Sequence, residues 1–434
     1  MKMTLKSAVR ALAIPGLLTV SLVTACDMSK VLQVQPANLV PAVDLEQPVN
    51  AGLLAAGAAS DFDCAFNSFV VVGGLIGEEL EDALQTAARW PYDQRNVTAD
   101  QTFYSTNSCT ALGIYSPLQS ARVSSNNVGR LLNGWTDAQV ANRRLLMARM
   151  SAYEAWSELL LSEAFCETVF STVNGEKVNY GGRLTRAEAL DSAVVRFTAA
   201  ITEATAVGGA SADSIRLFSL VGRARAYHDK NDMVNARADA VLVPANWVWN
   251  VTTSNSQTRR QNRVFQENGV NTSPNASVGT RYRGLADPRV PVSNLNKSSS
   301  GTNVPLWQQL KYTTATSPIP AATGTEMQLL IAEADRNTNR ANTLAIIATM
   351  RTAGNQAAYT GTTPAEDLTE IIDQRRRALF LTGTHFGDVI RYNLTVSPNA
   401  GASTPWGQTY GPNTGSAMCL PLPNVEKDNN PLLH

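Results

Sequence analysis

The chain has 434 residues, 44% of them hydrophobic, and 36 Lys and Arg balance 36 Asp and Glu for a formal net charge of zero at pH 7. Nucleic-acid binding needs a concentrated cationic face to displace counterions from phosphates, and a balanced chain without a Lys/Arg cluster excludes it as the main activity. The apolar content is enough for a sizeable core.

Lys2, Lys6 and Arg10 precede an apolar run from Ala11 to Ala25, which Cys26 closes. The run falls short of the roughly 20 residues that span a bilayer, so residues 1–25 read as an export signal. Val23-Thr24-Ala25-Cys26 looks like a bacterial lipobox, with Cys26 as the residue that takes the diacylglycerol. Residues 26–40 are then expected to be a lipidated tether and residues 41–434 a single domain anchored to a membrane. No second long apolar run is read in the mature part.

Export places Cys64, Cys109, Cys166 and Cys419 where disulfides persist, and four cysteines allow three connectivities. The favoured pairing joins Cys64 with Cys109, closing a local loop, and Cys166 with Cys419, tying the C-terminal tail to an early helix. No metal site is expected, because CxxC is absent and the histidines are only His228, His385 and His434. Glu78-Glu79 and Glu81-Asp82 read as the solvated face of a helix.

Four capping-box patterns mark helix starts: Thr136 to Gln139, Thr185 to Glu188, Thr323 to Glu326, and Thr363 to Glu366 with Pro364 at the first helical position. After the first, Leu145, Ala148, Ala152, Ala155 and Leu159 form one stripe and Tyr153, Trp156 and Leu160 another, predicting a helix sandwiched between others. A helix–turn–helix follows, with Leu217, Leu220, Ala224 and Tyr227, then Lys230-Asn231-Asp232, then Met233, Ala236 and Ala240. A further copy of the pattern has Met327, Leu330 and Ala334, the turn Asn337-Thr338-Asn339, then Ala341, Leu344 and Ala348, ending near Gly354. The last helix runs from about Ala365 and stops at Gly383, a left-handed cap. The fold class is mostly all-α, with stacked tetratricopeptide-like hairpins. Residues 165–184 and 243–322 interrupt the hairpins, and the second is a long loop-rich insertion with short strands.

Several stretches are similar to the SusD/RagB family of nutrient-binding lipoproteins. They are the helix Arg143–Ala164, the hairpin Ser214–Val241, EMQLLIAEADR from Glu326 followed by ATMRTAG from Ala348, and CLPLPNVEKDNNP from Cys419. The most specific is QRRRALFLTGTHFGDVIRYN from Gln374 to Asn393, where Arg375, Gly383, Asp388, Arg391 and Tyr392 match a family landmark. Gln374, Ala378 and Thr382 stand where the family usually has glutamates. The resemblance implies a non-enzymatic surface protein of the outer membrane that captures an oligosaccharide or a peptide. It also implies a SusC-like TonB-dependent transporter as partner and a scaffold role for the landmark; read from the residues alone, Arg375 and Arg391 either meet Asp388 or are ordinary solvated charges.

No catalytic residue is assigned. A G-x-S-x-G turn is missing, and the histidines read as structural. No phosphate cradle is present, and no cofactor is expected. The ligand-binding candidates are the insertion aromatics Trp247, Trp249, Tyr282 and Trp307, with Trp406 and Tyr410 near the end, because aromatic faces stack on sugar rings. Asn246, Asn250, Arg281, Arg283 and Gln308 lie close to them in sequence.

Overall fold

The computed structural model describes residues 42–434 apart from 176, 270–272 and 405–406. The signal, Cys26, the tether and Trp406 therefore lie outside the described residues. Helices of seven residues or more are numbered in chain order.

Helix α1, Ala51–Ile76, is the axis of the core, and from Phe62 to Leu80 every residue is buried. By length and composition it could cross a membrane, contrary to the sequence expectation, but its apolar surface is spent on packing inside the protein. Around it lie α2, Tyr115–Gly134, and α3, Arg143–Ala164. The two stripes on α3 are buried apart from the half-buried Leu145, and the helix packs on α1 and α2 and on the next pair, α4 and α5. Its stripe of alanines lets backbones approach closely.

Helices α4, Arg186–Val207, and α5, Gly209–Asp229, are joined through Gly208 and Gly209, whose φ values of 69° and 81° make the link without a Cβ penalty. A tight turn leads to α6, Met233–Ala240, and later α7, Gly324–Asp335, pairs with α8, Arg340–Ala353. Helix α9, Pro364–Ala378, packs on both α7 and α8, and α10, His385–Arg391, packs on α1 and α3. Leu45–His434 forms one compact unit.

Two of the four capping boxes are complete, at Thr185 and Thr363. At Thr323 the hydroxyl caps the Glu326 amide, while the Glu326 side chain turns inward beside Arg225 and Arg375. Thr136 starts no helix. Gln139 satisfies the Thr136 amide at 2.9 Å within a turn, and α3 begins only at Arg143. Helix α8 also buries another face than expected: Thr343, Ile346, Ile347 and Met350 point inward, and Ala341 and Ala348 are exposed.

The strands among the described residues form five antiparallel two-stranded ribbons. In the first interruption β2, Glu167–Val169, pairs with β5, Arg183–Thr185, and β3, Thr172–Asn174, with β4, Lys177–Asn179. In the second, β6, Val248–Val251, pairs with β10, Ile319–Thr323, and β8, Val292–Ser298, with β9, Pro305–Gln309. The fifth ribbon joins β1, Leu80–Asp82, to β7, Ala276–Val278. Cys64 and Cys109 are bonded with Cα atoms 5.8 Å apart, and Cys166 and Cys419 with Cα atoms 5.1 Å apart. Both distances suit an ordinary disulfide.

Charge fills the interior around α10. Arg225 forks onto Glu163 with two bonds of 2.6 Å and reaches the Gly383 carbonyl at 2.9 Å. Arg375 holds Asp388 at 2.8 Å, whereas Arg391 goes to Glu333 at 2.8 Å, not to Asp388. His228 Nε2 and the Tyr392 hydroxyl also meet Glu333. Although burial pushes the Glu333 carboxyl up, these partners hold it well below the usual range.

Helix α9 ends at Ala378, and a turn through Leu381 and Gly383 separates it from α10. Glu79 Oε1 accepts from the Leu381 amide at 2.7 Å, the Tyr312 hydroxyl donates to the Leu381 carbonyl at 2.8 Å, and Lys311 Nζ donates to the Phe380 carbonyl at 2.5 Å. The acidic cluster is thus no solvated helix face. Glu78, Glu79 and Asp82 are buried at and beside β1, and burial pushes the Glu79 carboxyl up to about 8.

Candidate binding site

The stretch Ser105-Thr106-Asn107-Ser108-Cys109-Thr110 is polar and ends a short helix, Phe103–Thr106. The Cys64–Cys109 bond staples it to α1. Gly113 fixes its return: a Cβ there would lie 1.9 Å from the Asn107 carbonyl oxygen, so only glycine permits the close pass. The Gly113 amide donates to the Ser108 carbonyl at 2.9 Å, and the buried Ser68 hydroxyl donates to the Gly113 carbonyl at 2.8 Å. A disulfide and backbone bonds therefore preset this loop.

The loop walls a cleft of about 440 Å³. Across from it, Arg259 of the insertion pairs with Asp61 of α1 at 2.5 Å, and the Ser124 hydroxyl donates to the other Asp61 oxygen at 2.8 Å. Ser116 and Ser120 of α2 complete the lining. The pair neutralises itself, which leaves hydroxyls, amides and a guanidinium edge facing the opening. Such groups can hydrogen-bond a neutral polyhydroxylated ligand or a peptide backbone.

Thr106 and Ser116 also line a second cleft, of about 420 Å³, on the other side of the α2 start. It holds Tyr115, Gln119, Arg122, Tyr180 and Glu426. Burial pushes the Tyr115 hydroxyl up, so it stays protonated, and lowers Arg122 from its usual value. A third cleft, of about 470 Å³, lies among Ala345, Met350 and Ala378 on the helical scaffold, and a smaller one lies beside Cys419. Among the described residues no group of three His, Cys, Asp or Glu converges to hold a metal ion.

Among the described residues none of the aromatics picked from the sequence, Trp247, Trp249, Tyr282, Trp307 and Tyr410, lines any of these four clefts. Tyr282 is fully buried and stacks on Phe380 with centroids 4.8 Å apart, so no ligand can reach it, and it is withdrawn as a contact residue. Trp249 lies flat on Phe218 at 4.4 Å. Trp247 and Trp307 are half-buried against the core. Tyr410 is buried, with its hydroxyl donating to Asp93 at 3.3 Å.

Sequence reasoning missed Asp61, Arg259, Ser108, Thr110 and Ser120, which the fold brings together. One signal was available: a run of small polar residues interrupted by a cysteine marks a loop tied down while its side chains stay polar.

Together these features define a class: a helical-hairpin scaffold that carries rigid polar clefts beside its loop-rich insertions. No protein-family model matches the chain, and no curated protein matches it. Solved structures do. A SusD-like carbohydrate binding protein from Bacteroides vulgatus is 14% identical, with a TM-score of 0.67 over 89% of this chain and 97% of that one. A SusD superfamily protein from Parabacteroides distasonis is 14% identical, with a TM-score of 0.66 over 89% of this chain and 98% of its own. Another, from Bacteroides thetaiotaomicron, is 13% identical, with a TM-score of 0.66 over 89% and 98%. The chain has the SusD-type fold.

Proposed function

We propose that the protein is a non-enzymatic nutrient-binding lipoprotein that captures an oligosaccharide in the cleft between the Thr106–Thr110 loop and Arg259. The observation that carries this reading is the preset polar cleft with its self-neutralised Asp61–Arg259 pair, on a fold shared with a carbohydrate-binding protein. Rigid walls reduce the ordering cost of binding. Glycoside hydrolysis needs two carboxyl groups facing each other within about 5–9.5 Å. Each of the two polar clefts has a single carboxylate in its lining, Asp61 or Glu426.

In this reading Cys26 carries the lipid, the anchor lies in the outer membrane, and a SusC-like TonB-dependent transporter receives the ligand and supplies the energy. Labelling with a radioactive fatty acid, expected for the native chain and lost in Cys26→Ala, tests the anchor. Co-purification with a large β-barrel protein tests the partner.

Among the described residues the lining of the first cleft has no aromatic side chain, and that favours a second reading in which the helix pairs hold another envelope protein. Screening the purified protein for binding and turnover against oligosaccharides and peptides separates the two. Saturable sugar binding without product supports capture. Silence across the panel moves the assignment to a protein partner, and product formation rejects the non-enzymatic reading.

A further inference from the structure

Resting on the reading of the first cleft as a sugar site, we infer that the second cleft, between α2, the β3–β4 ribbon and the C-terminal segment, is a continuing subsite for a neutral oligosaccharide that crosses the Thr106–Ser116 saddle.

The two clefts share a wall. Thr106 and Ser116 line both, so a chain molecule leaving one enters the other without passing over a ridge of unrelated residues. Their volumes, about 440 and 420 Å³, each fall in the range of about 300–1,000 Å³ that encloses a ligand.

The second cleft also carries a buried hydroxyl in its wall. Tyr115 is 3% exposed, and its hydroxyl lies in the cleft wall toward Glu426 and Gln119. A hydroxyl has one donor and two acceptor lone pairs, so beside these neighbours it can still accept from a ligand hydroxyl. At the rim stands Tyr180, 43% exposed, beside the exposed Val178 and Val425 of the same lining. Its ring is the flat apolar platform that the first cleft lacks, and a sugar ring needs one on its C–H face.

Charge selects a neutral ligand. Arg122 is the cation of the cleft, but it is already committed: Nε donates to Gln119 Oε1 at 2.9 Å, Nη2 donates to the Ser171 carbonyl, and the guanidinium sits over the Phe170 ring at 5.1 Å. It offers no free fork to a carboxylate or phosphate. Glu426, partly exposed in the lining, repels anions. Gln119 donates to the Val169 carbonyl at 2.8 Å, so the wall beside the Tyr115 hydroxyl is braced from β2.

The test is calorimetric titration of the purified protein with a size series, one to six units, of neutral gluco-, xylo- and manno-oligosaccharides. It is repeated with Tyr115→Phe and Tyr180→Ala. Tyr115→Phe removes only the hydroxyl, Tyr180→Ala changes an exposed ring, and the melting temperature of each variant is read alongside to separate lost fold from lost binding. A continuing subsite predicts that affinity rises at least tenfold from the shortest binding sugar to the longest. Both variants lose that gain and keep the affinity for the shortest sugar. Affinity independent of length, or an equal loss for short and long sugars, overturns the subsite and leaves the first-cleft reading standing. No binding by any member overturns the first-cleft reading, and the subsite with it. A uronic-acid series that binds more tightly than the neutral one also overturns the neutral-ligand assignment.

Discussion

Two regions of the molecule treat polar groups in opposite ways. Around α10 the chain buries full charges and fastens each to an opposite charge or a backbone carbonyl: Arg225 to Glu163, Arg375 to Asp388, Arg391 to Glu333. At the start of α2 it keeps uncharged hydroxyls and one self-paired ion pair at the edge of open space. The first arrangement is a scaffold device, because a buried charge is tolerable only in one geometry. The second is a recognition device, because a hydroxyl that already bonds within the loop keeps a lone pair for a donor from outside. Substitutions should therefore separate cleanly into those that cost stability and those that cost binding.

The largest effect is expected in the charged hub. Arg225→Ala leaves Glu163 buried and unpaired, and unfolding in denaturant should show a loss of about 3–5 kcal/mol. A loss below about 1 kcal/mol would mean that the pair is incidental to the scaffold.

The disulfide Cys64–Cys109 belongs to both regions, since it ties the cleft loop to the core helix across a sequence separation of 45. Replacing both cysteines by serine should cost about 2–5 kcal/mol. It should also weaken sugar binding in conditions where the variant is fully folded. Lost stability with unchanged affinity would show that the loop is held by its backbone bonds alone.

A smaller and pH-dependent effect comes from Glu79. Burial raises its carboxyl to about 8 from the usual value near 4.5, so the folded state prefers the neutral acid. The stabilisation from proton uptake is complete below about pH 4.5 and is lost as the pH rises toward 8. Lys311, lowered to about 8 by burial, acts in a higher window: its penalty is felt below 8 and disappears as the pH rises toward 10.5. Glu78 and Asp388 also raise Glu79. Glu79→Gln keeps an acceptor for the Leu381 amide and cannot ionise, so the fall in melting temperature between pH 5 and 8 should become shallower. An unchanged slope would assign the pH dependence to other groups.

The smallest effect is a cap. Thr185→Ala removes the hydroxyl that accepts from the Glu188 amide and should cost about 1 kcal/mol in thermal or denaturant unfolding, without a change in binding.

How far the sequence was legible follows the same division. Helices whose identity rests on local spacing were readable: the stripes of α3, the α5–α6 turn at Lys230-Asn231-Asp232, and the boxes at Thr185 and Thr363. Thr136 misled because the same side-chain-to-amide bond serves a turn as well as a helix start. Helix α8 misled because alanines mark either face, and the tertiary neighbours chose Ile346, Ile347 and Met350. Glu79 and Tyr282 misled for one reason. Their partners, the Leu381 amide and the Phe380 ring, lie far along the chain, and nothing local distinguishes a paired buried group from a solvated one. The cleft was hidden in the same way, since Asp61 and Arg259 meet only after the fold has formed.

The most direct test of the account is the affinity of one neutral oligosaccharide for the native protein and for Ser120→Trp. Ser120 is exposed and lines the first cleft, so the indole should fill the cleft and leave the core untouched. The account predicts at least a tenfold loss of affinity with an unchanged melting temperature. Unchanged affinity in the folded variant would contradict it, because the sugar would then bind somewhere other than the preset cleft.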